Sequence, residues 1–401
     1  MGTIEQDFMG LHFSTPFLIG SGPATTTIGE IYKHAAAIAE NGWGGLVTKT
    51  IMTGYGTQFT PHLWSSPQYR LVALQNSGPA LSEYNEATME ALSRDVEAAH
   101  REGLVLIASL IGRTLEEWSE MASAAESAGA DALELNLSCP SPRSTVQGSM
   151  GGAHVGQSVD ATFEVVKAVV SSTSLPVMPK LTFHTASPIA VARACQEAGA
   201  HAVAGINTVR GLVGIDIETG KPLSIDLLNH AYYSGLSGPL IKPLAIGVTA
   251  EIARQVDLPV CGVGGIAKWQ DVVEFVLAGA SLVQVCTAMM WYGFGLGKRL
   301  RRGLERYLEE HGYSSIGDFK GKALQYITSE IPDSYPQDRV VSIDPDKCTM
   351  CRLCATACQD GAYGALSIAN GFIQVDTSKC RICGLCMVVC KPEAISITEM
   401  P

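Results

Sequence analysis

Positive charge is scarce in this sequence. Its 401 residues carry 28 Lys and Arg against 39 Asp and Glu, a net charge of −11. Nucleic acid is gripped through a basic face that neutralises phosphates, so this deficit excludes it as an expected partner. A small anionic ligand in a local pocket stays open. The first residues, "MGTIEQDFMG", lack the basic and then apolar pattern of a secretory leader, and Gln6 stands where a myristoylation signal needs Ser or Thr. The expectation is a cytoplasmic protein. A membrane span is not expected either. The uncharged stretch 275–297, "FVLAGASLVQVCTAMMWYGFGLG", is broken by Gly279, Gly293, Gly295 and Gly297 and contains the β-like "SLVQVC". It reads as a helix end, a strand and a loop. Finally, no G-x-G-x-x-G opens a βα unit, so the chain lacks that fingerprint for taking hydride from NADH unaided.

What is present is a rhythm. Short apolar runs recur: "FLIGS" (17–21), "GLVTKT" (45–50), "VLIASL" (105–110), "ALELNL" (132–137), "VMPKLT" (177–182), "AVAGIN" (202–207), "PVCGVG" (259–264) and "LVQVCT" (282–287). Amphipathic stretches lie between them, and several end on Ala-Gly-Ala. Continuous apolar strands alternating with helices imply a parallel sheet, and eight of them predict an α/β fold of the (β/α)8 TIM-barrel type. "IEQDFMGLHFSTP" reads as a hairpin closing the barrel's bottom. The expected domains are the barrel (1–311), a linker (312–340) and a small C-terminal α+β unit of bacterial-ferredoxin type (341–401).

That last segment holds an internal repeat. Cys348, Cys351, Cys354 and Cys358 follow C-x2-C-x2-C-x3-C, and Cys380, Cys383, Cys386 and Cys390 repeat the spacing 32 residues later. Structural zinc favours pairs of cysteines, whereas this triple spacing suits two 4Fe–4S clusters. The fourth cysteine of each run then reaches the other cluster. The expected sets are Cys348, Cys351, Cys354 and Cys390 for one, and Cys380, Cys383, Cys386 and Cys358 for the other. The proline that commonly follows the fourth cysteine is missing: Gln359 and Lys391 stand there.

Active sites of such barrels lie at the C-terminal ends of the strands. Candidates in that position are "GSGP" with Ser21 and Gly22, Lys49, Asn76 in "LQNSGP", "NLSCP" with Asn136 and Cys139, Lys180 in "PKLT", Asn207 and Thr208, Gly238 in "LSGP", Gly264 and Gly265 in "GVGGI", and Thr287. Glycine turns can cradle a phosphate with backbone N–H groups, lysines can neutralise an electron-rich ring or a phosphate tail, and amides can read a polar planar ligand. Each feature also has a bland reading as a turn or a loop cap.

With "NLSCP", "PKLT", "INTV", "LSGP" and "GVGGI" in these places, the barrel resembles the dihydroorotate dehydrogenase superfamily of FMN barrels. With the ferredoxin segment added, the chain is similar to the dihydropyrimidine dehydrogenase family, specifically its bacterial FMN and iron–sulfur subunit, over residues 1 to 398. The resemblance implies FMN held by Ser21, Gly22, Lys49, Asn136, Lys180, Gly238, Gly264, Gly265 and Thr287. It implies a small cyclic substrate gripped by Asn76, Asn136, Asn207 and Thr208, with Cys139 as the general acid. It also implies a partner flavoprotein that binds FAD and NAD(P)H, and an oligomeric assembly. The reaction expected is reduction of the 5,6 C=C bond of uracil or thymine. A different conjugated ring, or an electron-transfer module without substrate chemistry, are the alternatives. Cys139 could equally be a small buried packing residue. Its place beyond a strand end, before the glycine- and serine-containing segment 141–157 that reads as a lid, favours the acid.

Overall fold

The computed structural model describes residues 2–22, 26–54, 62–66, 69–77, 82–138, 150–224, 230–231, 233–330, 338–361 and 363–399. Contacts divide the chain into two units, Met1–Ile327 and Thr328–Pro401.

In the first unit each apolar run forms one strand: β1 (Phe17–Ile19), β2 (Gly45–Val47), β3 (Val105–Ile111), β4 (Ala132–Asn136), β5 (Val177–Lys180), β6 (Val203–Gly205), β7 (Val260–Val263) and β8 (Ala280–Val285). Neighbours pair in parallel in chain order, and β8 pairs with β1, Val283 opposite Phe17, to close the ring. Helices α1 (Ala35–Glu40), α2 (Glu86–Arg101), α3 (Leu115–Ser127), α4 (Val159–Ser172), α5 (Pro188–Glu197), α6 (Lys242–Gln255), α7 (Trp269–Leu277) and α8 (Leu296–His311) follow the strands in turn. The fold is the expected TIM barrel.

The runs are continuous because both faces of each strand are covered. All seven residues of β3 are buried. Local signals start and stop the helices. The side chains of Asn85, Thr114, Ser158 and Ser187 accept the third N–H of α2, α3, α4 and α5. The Ala-Gly-Ala endings place Gly129 and Gly199 at φ near +90°, where a side chain would strain the backbone.

Two shells of core result. Leu106, Leu133, Phe275 and Val283 belong to the shell between strands and helices. Leu18, Val47, Ile107, Met178, Ala204, Cys261 and Leu282 form an inner cluster. Phe8 and Phe13, from the antiparallel pair Gln6–Phe8 and Leu11–Phe13, join that inner cluster and close its floor.

Above the strand ends lies a feature the sequence patterns do not announce. Val209–Gly211, Ser234–Ser237, Leu74–Ser77 and His62–Trp64 form a four-stranded antiparallel sheet in that order, from the segments after β2 and β6. Gln75, fully buried, pins it: its Oε1 accepts the Val213 N–H at 2.6 Å and its Nε2 donates to Ser234 Oγ at 3.0 Å. After β8 the chain forms a short helix, Thr287–Tyr292, where a loop was expected. Among the described residues no helix is long and apolar enough to cross a membrane.

The second unit pairs Arg339–Ile343 with Ile395–Glu399 and Leu366–Ala369 with Phe372–Val375, both antiparallel, beside helices Leu353–Asp360 and Leu385–Val388. The repeat is visible in the backbone. Met350 and Ile382 have φ of 55° and 53°, and Arg352 and Gly384 have φ of 69° and 77°.

Candidate functional site

At the barrel mouth, a polar layer sits directly above the apolar inner cluster. Glu134 on β4 and Gln284 on β8 are 0% and 1% exposed, and Lys180 on β5 is 5% exposed. The three are bonded in a triangle. Lys180 Nζ donates to Glu134 Oε1 at 3.2 Å and to Gln284 Oε1 at 2.8 Å, and Gln284 Nε2 donates to Glu134 Oε2 at 2.6 Å. A lysine carries three N–H donors, so one remains for a ligand in the mouth. Cys286, next on β8's inward face, donates to Ser21 O at 3.6 Å. Burial pushes its thiol pKa up, and the charges of Lys180 and Lys49 pull against that rise. Both predicted lysines therefore act on this one spot.

Beside the triangle runs a chain of amides and hydroxyls. Asn136, at the end of β4, donates from Nδ2 to Thr50 Oγ1 at 3.1 Å, and Thr50 is linked to Ser109 at 2.9 Å. Asn136 Oδ1 accepts from Asn207 Nδ2 and from the Ser138 hydroxyl, each at 3.2 Å. Asn207 Oδ1 in turn accepts the Thr208 N–H at 2.8 Å. Thr208 abuts Gly235, where a Cβ would collide with its Oγ1, and Gly235 pairs with Asn76 in the roof sheet. Asn76 Oδ1 is buried and has no hydrogen-bond partner among the described residues. A buried acceptor left unpaired costs about 1–3 kcal/mol, so it marks a place where a ligand donor belongs.

The far corner is built from glycine. Gly238, Gly264 and Gly265 have φ of 91°, 131° and 78°. A Cβ on Gly264 would meet Ala245 Cβ at 2.8 Å, and one on Gly265 would meet Lys242 N at 2.9 Å and Gly238 O at 3.0 Å. The backbones thus approach as closely as they do only because side chains are missing. The start of α6 here has no side-chain cap. The ammonium of Lys242 is committed to Asp271 at 2.7 Å and Glu274 at 2.9 Å. Asp271 also accepts the Ala267 and Lys268 N–H groups and so ties the glycine turn to α7. Thr287 Oγ1 bonds Ser237 Oγ at 2.8 Å, joining β8's end to the roof. Glycine turns whose backbones approach this closely fit a phosphate, and the ammonium of Lys180 fits an electron-rich ring. The residues present therefore fit FMN.

Of the predicted rim residues, the structure brings Asn136, Asn207, Thr208 and Asn76 into one run, and Gly238, Gly264, Gly265 and Thr287 into one corner. Ser21 lies beside Cys286. Gly22, buried, is fixed by its N–H donating to Thr26 Oγ1 at 3.2 Å. Cys139 and Pro140 lie outside the described residues, as do 141–149 of the expected lid. The described part, from Met150, is anchored: its O accepts from Trp118 Nε1 at 2.8 Å, and its N–H donates to Arg113 O at 2.9 Å. Glu134 and Gln284 were not anticipated. Their signal was there, as a carboxylate and an amide inside otherwise apolar runs, "ALELNL" and "LVQVCT".

In the second unit Cys348, Cys351, Cys354 and Cys390 line one pocket together with Ile343, Ile373 and Pro392. Among the described residues no three His, Cys, Asp or Glu side chains converge on a single-ion position. Sulfurs spread around a pocket suit a polynuclear cluster, which takes one thiolate at each iron. Cys390 Sγ and Cys358 Sγ accept the N–H groups of Ala394 and Ala365, each at 3.3 Å. Such bonds are among those that set cluster potentials.

The pattern of the dihydroorotate dehydrogenase family matches residues 3–308, and that of the 4Fe-4S dicluster domain matches residues 340–391. The chain is 32% identical to the NAD-dependent dihydropyrimidine dehydrogenase subunit PreA of Escherichia coli (strain K12), over 90% of this chain and 86% of that one. It is 36% identical to the catalytic subunit of dihydroorotate dehydrogenase B (NAD(+)) of Pyrococcus abyssi, over 80% and 99%. It is 29% identical to the chloroplastic dihydropyrimidine dehydrogenase (NADP(+)) of Arabidopsis thaliana, over 80% and 76%. A parallel barrel with this mouth, followed by a cysteine-ringed unit, has the same two parts in the same order. The chain belongs to the dihydroorotate dehydrogenase family, extended by a 4Fe–4S dicluster domain, and is an oxidoreductase acting on CH–CH bonds with FMN and 4Fe–4S clusters as its cofactors.

Proposed function

We propose that this chain is the catalytic subunit of a dihydropyrimidine dehydrogenase, which reduces the 5,6 C=C bond of uracil or thymine or runs the reverse. The observation that carries the reading is the run of amides at the mouth, ending in the unpartnered Oδ1 of Asn76. A pyrimidine ring presents N–H donors and C=O acceptors around its edge. Asn76 Oδ1 can take a ring N–H, and Asn136, Asn207 and Thr208 can bond its other polar edge. The likeness to the bacterial PreA subunit over most of both chains points the same way.

Ser21, Gly22, Lys49, Asn136, Lys180, Gly238, Gly264, Gly265 and Thr287 would hold FMN, with the phosphate in the glycine corner and the ring over Lys180. FMN, when bound, supplies hydride to one carbon of the double bond. Cys139 follows β4 by three positions and gives a proton to the neighbouring carbon. A free cysteine thiol titrates at about pH 8.5, so an unperturbed one is mostly protonated at neutral pH and able to donate. The segment 141–157 would exclude water from the site. Cys348, Cys351, Cys354 and Cys390 would bind one cluster; Cys380, Cys383, Cys386 and Cys358 would bind the other. With no dinucleotide fingerprint in the chain, electrons would enter from a partner flavoprotein that binds FAD and NAD(P)H.

The test is an anaerobic titration of the reduced flavin with uracil or thymine. Wild type is expected to reoxidise, and Cys139→Ala to do so more slowly by about 10²–10⁴-fold, the usual worth of a general acid. No reoxidation by either pyrimidine, with FMN bound, would remove the substrate from this reading while leaving the flavin barrel.

A further inference from the structure

The triangle under the mouth contains a charge that the reaction above does not itself call for. We propose that Glu134 is a positioning residue: it fixes Lys180 beneath the flavin and offsets the ammonium's charge, so that the flavin meets a restrained positive group. This rests on the reading of Lys180 as facing the flavin.

Three observations support it. First, each member of the triangle is bonded to the other two, and the three bonds leave neither Lys180 nor the Gln284 amide free to turn. A side chain at Gly20 would press on Gln284, meeting its Cβ at 3.3 Å and Oε1 at 3.4 Å, so the glycine preserves this arrangement. Second, the layer just below uses Met178, Cys261 and Leu282 at neighbouring positions on β5, β7 and β8. A buried ion pair adds little to stability compared with apolar residues of similar volume, so stability alone gives no reason to keep one here. Third, the pair is enclosed, with Glu134 inaccessible to solvent. Water does not screen it, and its charge state acts strongly on whatever ring lies above.

Neutralising Glu134 would leave a lone ammonium under the flavin and favour every negatively charged flavin form. Sulfite reads this without any turnover. Its sulfur bonds to the oxidised flavin, the electron pair it brings leaves the ring negatively charged, and the flavin absorbance bleaches. Glu134→Gln is expected to bind sulfite at least tenfold more tightly than wild type and to raise the flavin midpoint potential. Glu134→Asp, which keeps the charge, is expected to stay near wild type. Glu134→Ala removes the carboxylate by a different side chain and is expected to tighten sulfite binding as well, which provides a second test should Glu134→Gln fold poorly. Sulfite affinities within twofold of wild type in both Glu134→Gln and Glu134→Ala, with Lys180→Met weakened, would overturn the role of Glu134 alone. An unchanged affinity in Lys180→Met would instead overturn the placement of the flavin over Lys180, and this inference with it.

Discussion

The two units keep their shape by different means. The barrel encloses two shells of aliphatic and aromatic side chains, and its polar groups decorate the upper end of a frame that is already packed. The C-terminal unit has a small buried cluster of Val341, Leu366 and Ile395, completed by the thiols of Cys354 and Cys386. In the barrel the cofactor-facing residues are added to a core. In the small unit the cluster ligands are part of the core. A domain of this size has a marginal core, and metal binding then adds directly to its folding free energy. Loss of cofactor should therefore unfold the small unit and leave the barrel standing.

The largest effect should come from iron removal. Chelation of the holoprotein under reducing conditions is expected to abolish amide-exchange protection across 338–399, while β3 and β4 keep theirs. Retained protection in the C-terminal unit would break the comparison at its root. A smaller and complementary effect should come from the barrel. Leu106→Ala, at a fully buried position of β3, is expected to cost about 2–5 kcal/mol in the barrel's unfolding transition and leave the iron–sulfur absorbance unchanged. Loss of the clusters in that variant would mean that the units do not stand independently. The smallest effect sharpens the comparison inside the repeat. Arg352 holds φ of 69°, where its counterpart is Gly384. Arg352→Gly should relieve left-handed strain and delay denaturant-induced cluster loss by about 1 kcal/mol. An earlier loss would show that the arginine side chain contributes more than its backbone conformation costs.

This contrast also explains what could be seen in the sequence. The barrel was legible because parallel strands covered on both faces read as near-continuous apolar runs, as in "VLIASLI", and because amphipathic stretches ending on Ala-Gly-Ala lie between them. The cysteine spacing was legible because a cluster constrains its ligands locally. The roof sheet was not. Its strands carry polar residues such as Gln75, Asn76, Thr208 and Arg210 in and around them, and they pair across long separations, so neither period nor turn chemistry marks them. Asn76 could be suspected from its loop, but its unsatisfied oxygen could come only from the fold. Glu134 and Gln284 were hidden by their surroundings: a strand-long apolar pattern draws attention away from the one member that breaks it. The short helix Thr287–Tyr292 replaced an expected loop because Gly293, Gly295 and Gly297 directly after it read as turn signals.

Gln75 gives the roof a further property. By bonding Val213 and Ser234 at once, it fastens the insertion after β2 to the insertion after β6. The pieces over the mouth are therefore built as a matched set. A lineage that adapts to a new ring can lengthen or recolour one insertion only within the tolerance of the other, while the eight strands beneath need not change. Substrate range in such a design drifts by exchange of paired loops, and a graft that moves both segments together, Gln75 included, is the transplant that the architecture accepts.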